Sequence, residues 1–333
     1  MYGISVIICT YNGERRLIPT LKAIINQKIP ENLKWEVLII DNASTDKTFE
    51  LSENILNPHH EKIDYRIIKE SKAGKANALI KGFNESKYEL MLICDDDNWL
   101  QPEYLRTVSE IFEKHTETGL AGGYGIAEFR GEDKPDWFEK WKSCYASSKH
   151  HDKTGFLKPG DASIWGAGSV IRKKVWKYLI ENGFEFTKST DKGKPMGEDT
   201  ELSHAIMYTG SKLYFDERLW FKHDLSGNRL SKKNRRAQLK SNDSAIFVVF
   251  HMAYHGNNNN YFYPRYISML FSLSVNLFFQ FFKKNNYIAF VQLRIQYFEF
   301  ALHPLKYKRL FEKSYKWISK IKDTYPLKNE EEN

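Results

Sequence analysis

The chain has 333 residues, 41% hydrophobic and 28% charged, with a formal net charge of +8 at pH 7. This composition excludes a disordered or fibrous protein and is enough for one large domain or two smaller ones, each with its own core. The charge alone fits nucleic acid, a membrane surface or a phosphorylated small molecule, so its placement along the chain has to decide.

The opening MYGISVIICTYN enters a strand pattern at once, with no basic leader or cleavable apolar segment, so secretion is not expected. Apolar, β-branched runs at residues 4–9, 36–40, 65–68 and 89–94 alternate with amphipathic stretches, which predicts βαβ units and a largely parallel sheet. The first connecting helix would bury Leu17, Leu21 and Ile24. The second would be capped by Ser44 or Thr45 and turn Phe49, Ile55 and Leu56 inward. A third helix is expected over residues 76–83, and a fourth opening at Pro102, a favoured first helical position. Cys9, Cys94 and Cys144 have no metal-ligand spacing and read as reduced thiols of a cytosolic protein.

Beyond residue 120 a Gly-rich strand, LAGGYGIAEF, leads into the aromatic, basic segment DWFEKWKSCY. A short strand follows at 168–171, then a helix, then a polar loop over 185–197. Glu198 and Asp199 open the next helix, which runs through Leu202, Ala205 and Ile206. Residues 266–282 are strongly apolar, yet Ser268, Ser272, Asn276 and Gln280 recur at every fourth position, which predicts a helix with a narrow polar stripe. It is short for a bilayer span, which takes about 20 apolar residues. The stretch HPLKYKRLFEKSYKWISKIK is basic and aromatic; it fits an interfacial helix or a helical subdomain packed on the sheet or on a second subunit. No nucleic-acid recognition module is recognisable, so no nucleic-acid partner is expected.

The segment ICDDDNWL, residues 93–100, carries the most chemistry. An apolar run that stops at Asp95, Asp96 and Asp97 is a strand delivering carboxylates to its solvent end. Strand alternation would turn Asp95 and Asp97 one way and Asp96 the other, an arrangement suited to one hard divalent cation, Mg²⁺ or Mn²⁺. The bland alternative is an acidic turn. Thr10-Tyr11-Asn12, Asp41-Asn42 and the aspartates all end strands, and in open α/β sheets such ends converge on one ligand crevice. By themselves Lys75 reads as a solvated charge, Glu198-Asp199 as a charged helix start, His223 as a structural histidine, and Trp137, Trp141 and Trp165 as packing residues.

With VIICTYNGERRL, IIDNASTD, KAGKANALIKGFN, ICDDDNWL and GED in this order, roughly the first 225 residues resemble the family 2 glycosyltransferases of the GT-A fold. The resemblance implies an α/β, Rossmann-like, largely parallel sheet sandwiched by helices with a C-terminal helical extension. The catalytic domain would span 1–228, with 1–100 binding the nucleotide-sugar and 101–228 the acceptor; 229–333 would be a helical region suited to association with a membrane. It further implies that Thr10, Tyr11 and Asn12 line the nucleotide pocket, that Asp41 holds base or ribose, and that Lys75 and Asn77 form a third nucleotide contact. Asp97 and Asp95 would hold the Mg or Mn ion, with His223 a third ligand and Asp96 on ribose or water, although three adjacent acids leave that register open. Asp199, beside Glu198, would be the catalytic base, kept ionised by the helix dipole. Trp165 and Gly166 would lie under donor sugar and acceptor, and Arg229 would reach the diphosphate on the acceptor side.

The function so implied is inverting, metal-dependent transfer from a nucleotide-sugar, UDP-linked by preference, to a glycan or lipid-linked oligosaccharide in surface polysaccharide synthesis. The enzyme would be cytoplasmic or peripheral on the inner face of the plasma membrane. One alternative is a sugar-phosphate nucleotidyltransferase, which needs a Gly-rich basic loop where TYNGERRL has one glycine. The other is a non-catalytic scaffold binding through the basic C-terminus, for which both the acid triplet and Glu198-Asp199 would be superfluous.

Overall fold

The computed structural model describes residues 1–149, 151–158, 164–186, 198–231, 234, 245–255, 261–282 and 287–324. Residues 187–197 of the expected polar loop lie outside the described residues. Four strands, β1 (Ile4–Thr10), β2 (Trp35–Asn42), β3 (Asp64–Glu70) and β4 (Leu90–Asp95), pair in parallel in the order β3-β2-β1-β4. Val6, Ile7, Ile8 and Val37 to Ile40 are fully buried, since helices cover both faces of the central strands. Helix α1 (Leu17–Ile25) buries Leu17, Leu21 and Ile24 as expected, each worth about 2 kcal/mol relative to exposure.

Helix α2 (Thr48–Leu56) departs from expectation at its start. Neither Ser44 nor Thr45 caps it; Lys47 stands at the N-cap with no side-chain cap bond, and just before it Asp46 Oδ1 accepts the Thr48 amide at 3.1 Å. Its buried face is Thr48, Ser52 and Leu56, while Phe49 is half-buried beneath the Lys69 ammonium. Helix α3 (Lys75–Glu85) brackets its predicted span. The fourth helix, α4 (Tyr104–Lys114), starts two residues after Pro102, because Gln101 accepts both the Glu103 and Tyr104 amides and closes a turn first.

The sheet then continues as β4-β8-β6-β9-β5, with β5 (Asn98–Leu100), β6 (Thr118–Glu128), β8 (Val170–Arg172) and β9 (Lys212–Asp224). Pairs β4–β8, β8–β6 and β9–β5 are antiparallel and β6–β9 is parallel, so this half is mixed. A short β7 (Gly155–Phe156) flanks β9. The β6–β9 pairing shifts register between Gly122 and Tyr124. At Gly123 a Cβ would stand 1.7 Å from the Leu219 carbonyl oxygen, so only glycine allows this approach. Neither β5 nor β9 was foreseen: charged Asp216, Glu217 and Arg218 interrupt the apolar alternation of β9, and the bidentate Asp216–Arg218 pair makes that interruption tolerable. Helices α5 (Phe138–Trp141), α6 (Lys173–Glu181) and α7 (Glu198–Tyr208) complete this half.

The C-terminal helices are α8 (Ala245–His255), α9 (Phe262–Phe282), α10 (Tyr287–Leu302) and α11 (Pro304–Thr324). Tyr307, Phe311, Trp317, Ile318 and Ile321 of α11 enter the same apolar core as Ile7, Leu38 and Ile40. The aromatic face of the 303–322 stretch is therefore spent on packing, with Trp317 edge-on to Phe184 and Phe250. Among the described residues no helix is long and apolar enough to cross a membrane. Among the described residues Cys9, Cys94 and Cys144 form no disulfide.

Candidate active site

Because β1, β2 and β4 run parallel in register, with Cys9 opposite Asp95 and Thr10 opposite Asp41, their carboxyl ends open along one edge. Two turns border that edge. Asn12 adopts a left-handed φ of 48°; its side-chain carbonyl accepts the Thr45 amide at 2.8 Å, and its own amide donates to Ser44 Oγ at 3.0 Å. Asn12 thus ties the β1 turn to the β2 turn. Tyr11 is 57% exposed at the mouth, and Asp41 is buried with Oδ1 accepting the Ser44 amide. Asn42, one of the polar strand ends expected at the crevice, donates to the carbonyls of Glu70 and Lys72 and accepts the Gly74 amide at 2.8 Å. It sets the Gly74 turn, φ 127°, that launches α3 with Lys75 as its first residue. Asn77 donates to the Ala73 carbonyl at 2.9 Å and so braces the same turn.

The acid triplet does not alternate as a strand would, because β4 ends at Asp95 and residues 96 and 97 form the turn into β5. Each carboxylate consequently meets its own cation. Asp96 is gripped by Arg16, Nε to Oδ1 at 3.1 Å and Nη2 to Oδ2 at 2.8 Å, and by the Thr10 hydroxyl at 2.7 Å. Burial, with neighbouring Asp97, still holds its carboxyl above the usual range against the pull of Arg16. Arg16 went unforeseen; its signal was the arginine pair in TYNGERRL. Asp95 pairs with Lys75, whose Nζ lies 2.9 Å from Asp95 Oδ1 and 3.2 Å from Glu198 Oε1. Burial works against the charge on Lys75, but these two acids outweigh it and raise its pKa. Lys75 is therefore no isolated surface charge; it bridges the end of β4 to the start of α7.

Asp97, 1% exposed, takes hydrogen bonds from Arg229 and, at 3.4 Å, from Asn98. His223 of β9 sits opposite Asn98 in the β5–β9 pairing, which brings its Nε2 to 3.7 Å from Asp97 Oδ1. Its Nδ1 is 2.7 Å from the Tyr145 carbonyl, so that nitrogen carries the proton and Nε2 offers its lone pair. Burial pushes His223 below its ordinary pKa, against Asp97, and the ring is neutral. A neutral imidazole oriented by a carbonyl beside a buried carboxylate is a donor set that Mn²⁺ or Mg²⁺ accepts, and Arg229 fills the cationic role on Asp97. Among the described residues no group of three or more His, Cys, Asp and Glu side chains is gathered as a metal site; Asp97 and His223 come together while Asp95 is tied to Lys75.

Asp199 stands in the first turn of α7, with Oδ1 accepting the Thr200 amide at 2.8 Å and Oδ2 the Gly166 amide at 3.3 Å. A Cβ on Gly166 would be 2.9 Å from that of Asp199, so glycine lets the turn after half-buried Trp165 close over the carboxylate. The expected lowering by the helix dipole is overridden: burial, then Glu198, push the Asp199 pKa up against Lys75. Glu198 Oε2 is buried and has no hydrogen-bond partner among the described residues. The edge thus holds a half-buried carboxylate of enhanced basicity near Lys75, with Arg16 and Arg229 on the neighbouring acids, a set suited to deprotonating a hydroxyl while charge develops on a phosphate.

Residues 5–179 match the family model described as "Glycosyl transferase family 2". The poly-beta-1,6-N-acetyl-D-glucosamine synthase of Staphylococcus epidermidis is 29% identical over 122 residues, 36% of this chain and 28% of that protein. The match thus spans less than a third of that relative's length. A Methanococcus voltae dolichyl N-acetyl-alpha-D-glucosaminyl phosphate 3-beta-D-2,3-diacetamido-2,3-dideoxy-beta-D-glucuronosyltransferase is 28% identical over 222 residues, 64% of each chain. In three dimensions the chain resembles S. aureus TarS 1-349 in complex with UDP-GlcNAc, with a TM-score of 0.55 and 14% identity over 97% of this chain and 91% of that one. This likeness extends the agreement in fold, of GT-A type, through the mixed half of the sheet and the C-terminal helices. With the family model covering more than half of the chain, the protein belongs to glycosyltransferase family 2 and is a glycosyltransferase.

Proposed function

We propose that this enzyme transfers a sugar, with inversion, from a UDP-linked donor to a hydroxyl of a glycan or lipid-linked oligosaccharide during surface polysaccharide synthesis. The carrying observation is Asp199: a half-buried carboxylate oriented by two backbone amides, with its pKa pushed up, at the strand edge lined by Thr10, Asp41 and Lys75. UDP-GlcNAc is the ligand of TarS, and sugar polymers and lipid-linked acceptors figure in the names of relatives, which supports the substrate class.

Thr10, Tyr11 and Asp41 face the nucleotide, and Asn12 and Asn77 shape its pocket by holding the turns. Lys75 offers its charge to the diphosphate, and so does Arg229 once it leaves Asp97. Asp97 and His223, with Asp95 beside them, would hold Mg²⁺ or Mn²⁺, which when bound supplies Lewis-acid charge to the leaving diphosphate. Asp199 takes the proton of the acceptor hydroxyl, worth about 10²- to 10⁴-fold in rate, while Glu198 orients that hydroxyl and Trp165 with Gly166 floors the acceptor side. With no nucleophile of the enzyme on the path, a single displacement inverts the anomeric carbon. Residues 1–228 form the catalytic unit, 1–100 for the donor and 101–228 for the acceptor, and 229–333 its helical extension.

A thermal-shift series with UDP, GDP, CMP and TDP, with and without Mn²⁺, tests this. The expected result is stabilisation by UDP that grows with Mn²⁺, is lost in Asp97→Asn and persists in Asp199→Asn. A chain that responds to none of these nucleotides would sink the reading.

A further inference from the structure

Helix α9 is apolar on two sides, and among the described residues only one of them is covered. Phe262, Tyr266 and Leu273 face inward, Phe262 and Tyr266 stacking into the core with Phe300 and Phe311. On the outer side Tyr263, Ile267, Phe271, Val275 and Phe279 follow one another at fourfold spacing with exposures of 44, 65, 71, 37 and 59%, a stripe running the length of the helix. The neighbouring α10 adds Phe298 and Leu302, one turn apart, at 48 and 69%, and α11 begins with Leu305 at 64%. So much apolar surface does not face water by default in a folded chain.

The charge around this stripe says what covers it. Between residues 261 and 324 the sequence has eleven Lys and Arg against three Asp and Glu. On α11 the inward face is apolar, and Lys306, Arg309, Lys313 and Lys316 are exposed at spacings of three and four along the opposite face. Lys306 meets Glu299 and Lys313 meets Glu185, so part of this charge is answered within the protein, and a basic excess is left over. The two helices adjoin at their starts, where Lys308 lies 5.2 Å over the Tyr263 ring. A second copy of the chain would bring the same basic excess against itself, whereas anionic lipid headgroups answer the basic face while the acyl boundary takes the apolar stripe.

We propose that the outer face of α9, with the basic face of α11, docks the enzyme in the plane of an anionic lipid surface. This uses none of the residues assigned to donor, metal or acceptor, and it stands or falls apart from the transferase reading. Because α9 is anchored in the core by its other side, it lies on the surface rather than crossing it.

Flotation of the full chain with phosphatidylcholine vesicles, with and without phosphatidylglycerol, provides the test. Wild type is expected to float only with the phosphatidylglycerol vesicles and to detach as salt is raised. Ile267→Ser/Phe271→Ser is expected to lose flotation by about tenfold or more while keeping its melting temperature, and Arg309→Glu/Lys316→Glu to weaken it. Flotation that is equal in the serine variant, or absent in wild type, overturns the proposal. So does a wild-type dimer by light scattering that the serine variant abolishes, since the stripe would then belong to a second copy.

Discussion

At the β1–β2 end of the crevice the turns are joined by hydrogen bonds between side-chain amides and backbone, Asn12 to Thr45 and Asn42 to Gly74, whereas at the β4–α7 end the contacts are ion pairs, Asp96 with Arg16, Asp95 with Lys75 and Asp97 with Arg229. The first kind of contact makes a rigid frame that a ligand does not need to displace. The second neutralises a cluster of acids with cations that can be exchanged for others, a metal ion or a new partner for Lys75. The two ends of the crevice thus differ in what holds them, and each should fail in its own way when perturbed.

The largest expected effect lies at the reactive edge. Asp199→Asn should cost about 10²- to 10⁴-fold in transfer rate, with donor binding retained. A raised pKa means that Asp199 takes up its proton at a higher pH than an ordinary carboxylate. Activity should therefore fall as the pH drops through that raised value. The sign for stability is opposite: burial penalises the charged form in the fold, so protonating this group removes a penalty and the fold gains. A rate profile whose acidic limb tracks acid unfolding measured by circular dichroism, instead of preceding it, would count against Asp199 as the base.

Arg16→Gln comes next. It leaves buried Asp96 with the Thr10 hydroxyl and no cation, at a cost of about 2–3 kcal/mol after allowing for the partial exposure of Arg16. Urea denaturation should show the loss at neutral pH and a smaller one at acid pH, where Asp96 is protonated. A loss of the same size at both would mean that Arg16 acts through packing and not through charge. The smallest effect belongs to the frame: Asn42→Ala removes hydrogen bonds to Glu70, Lys72 and Gly74, for about 1–2 kcal/mol that should not vary with salt. A marked salt dependence there would erase the contrast between the two edges.

Much of residues 1–100 was legible because its signals are local. Strands β1 to β4, helix α1 and the span of α3 follow from apolar runs and their spacing, and the polar strand ends point to the crevice by the logic of parallel sheets. Where expectation and structure part, a distant partner is responsible. Ser44, expected as a cap of α2, instead takes the Asn12 amide from 32 residues away, and the helix starts at Thr48, beyond its reach. Strand β9 hides in the sequence because its charged middle reads as a loop until Asp216 and Arg218 are seen paired.

The sequence by itself determined the α/β class, the carboxylates at the end of β4, and Glu198-Asp199 at the start of a helix, since strand and helix periodicities and the chemistry of acids are written in neighbouring residues. Tertiary structure alone decided which cation each acid meets, which tautomer His223 adopts, that Lys75 is a bridge and not a surface charge, and which side of α9 is left bare. Those are matters of burial and of contacts between residues tens to more than a hundred positions apart, Arg229 on Asp97 being the widest of these ion pairs. Charge, protonation and exposure are properties of a surrounding that only the folded chain supplies.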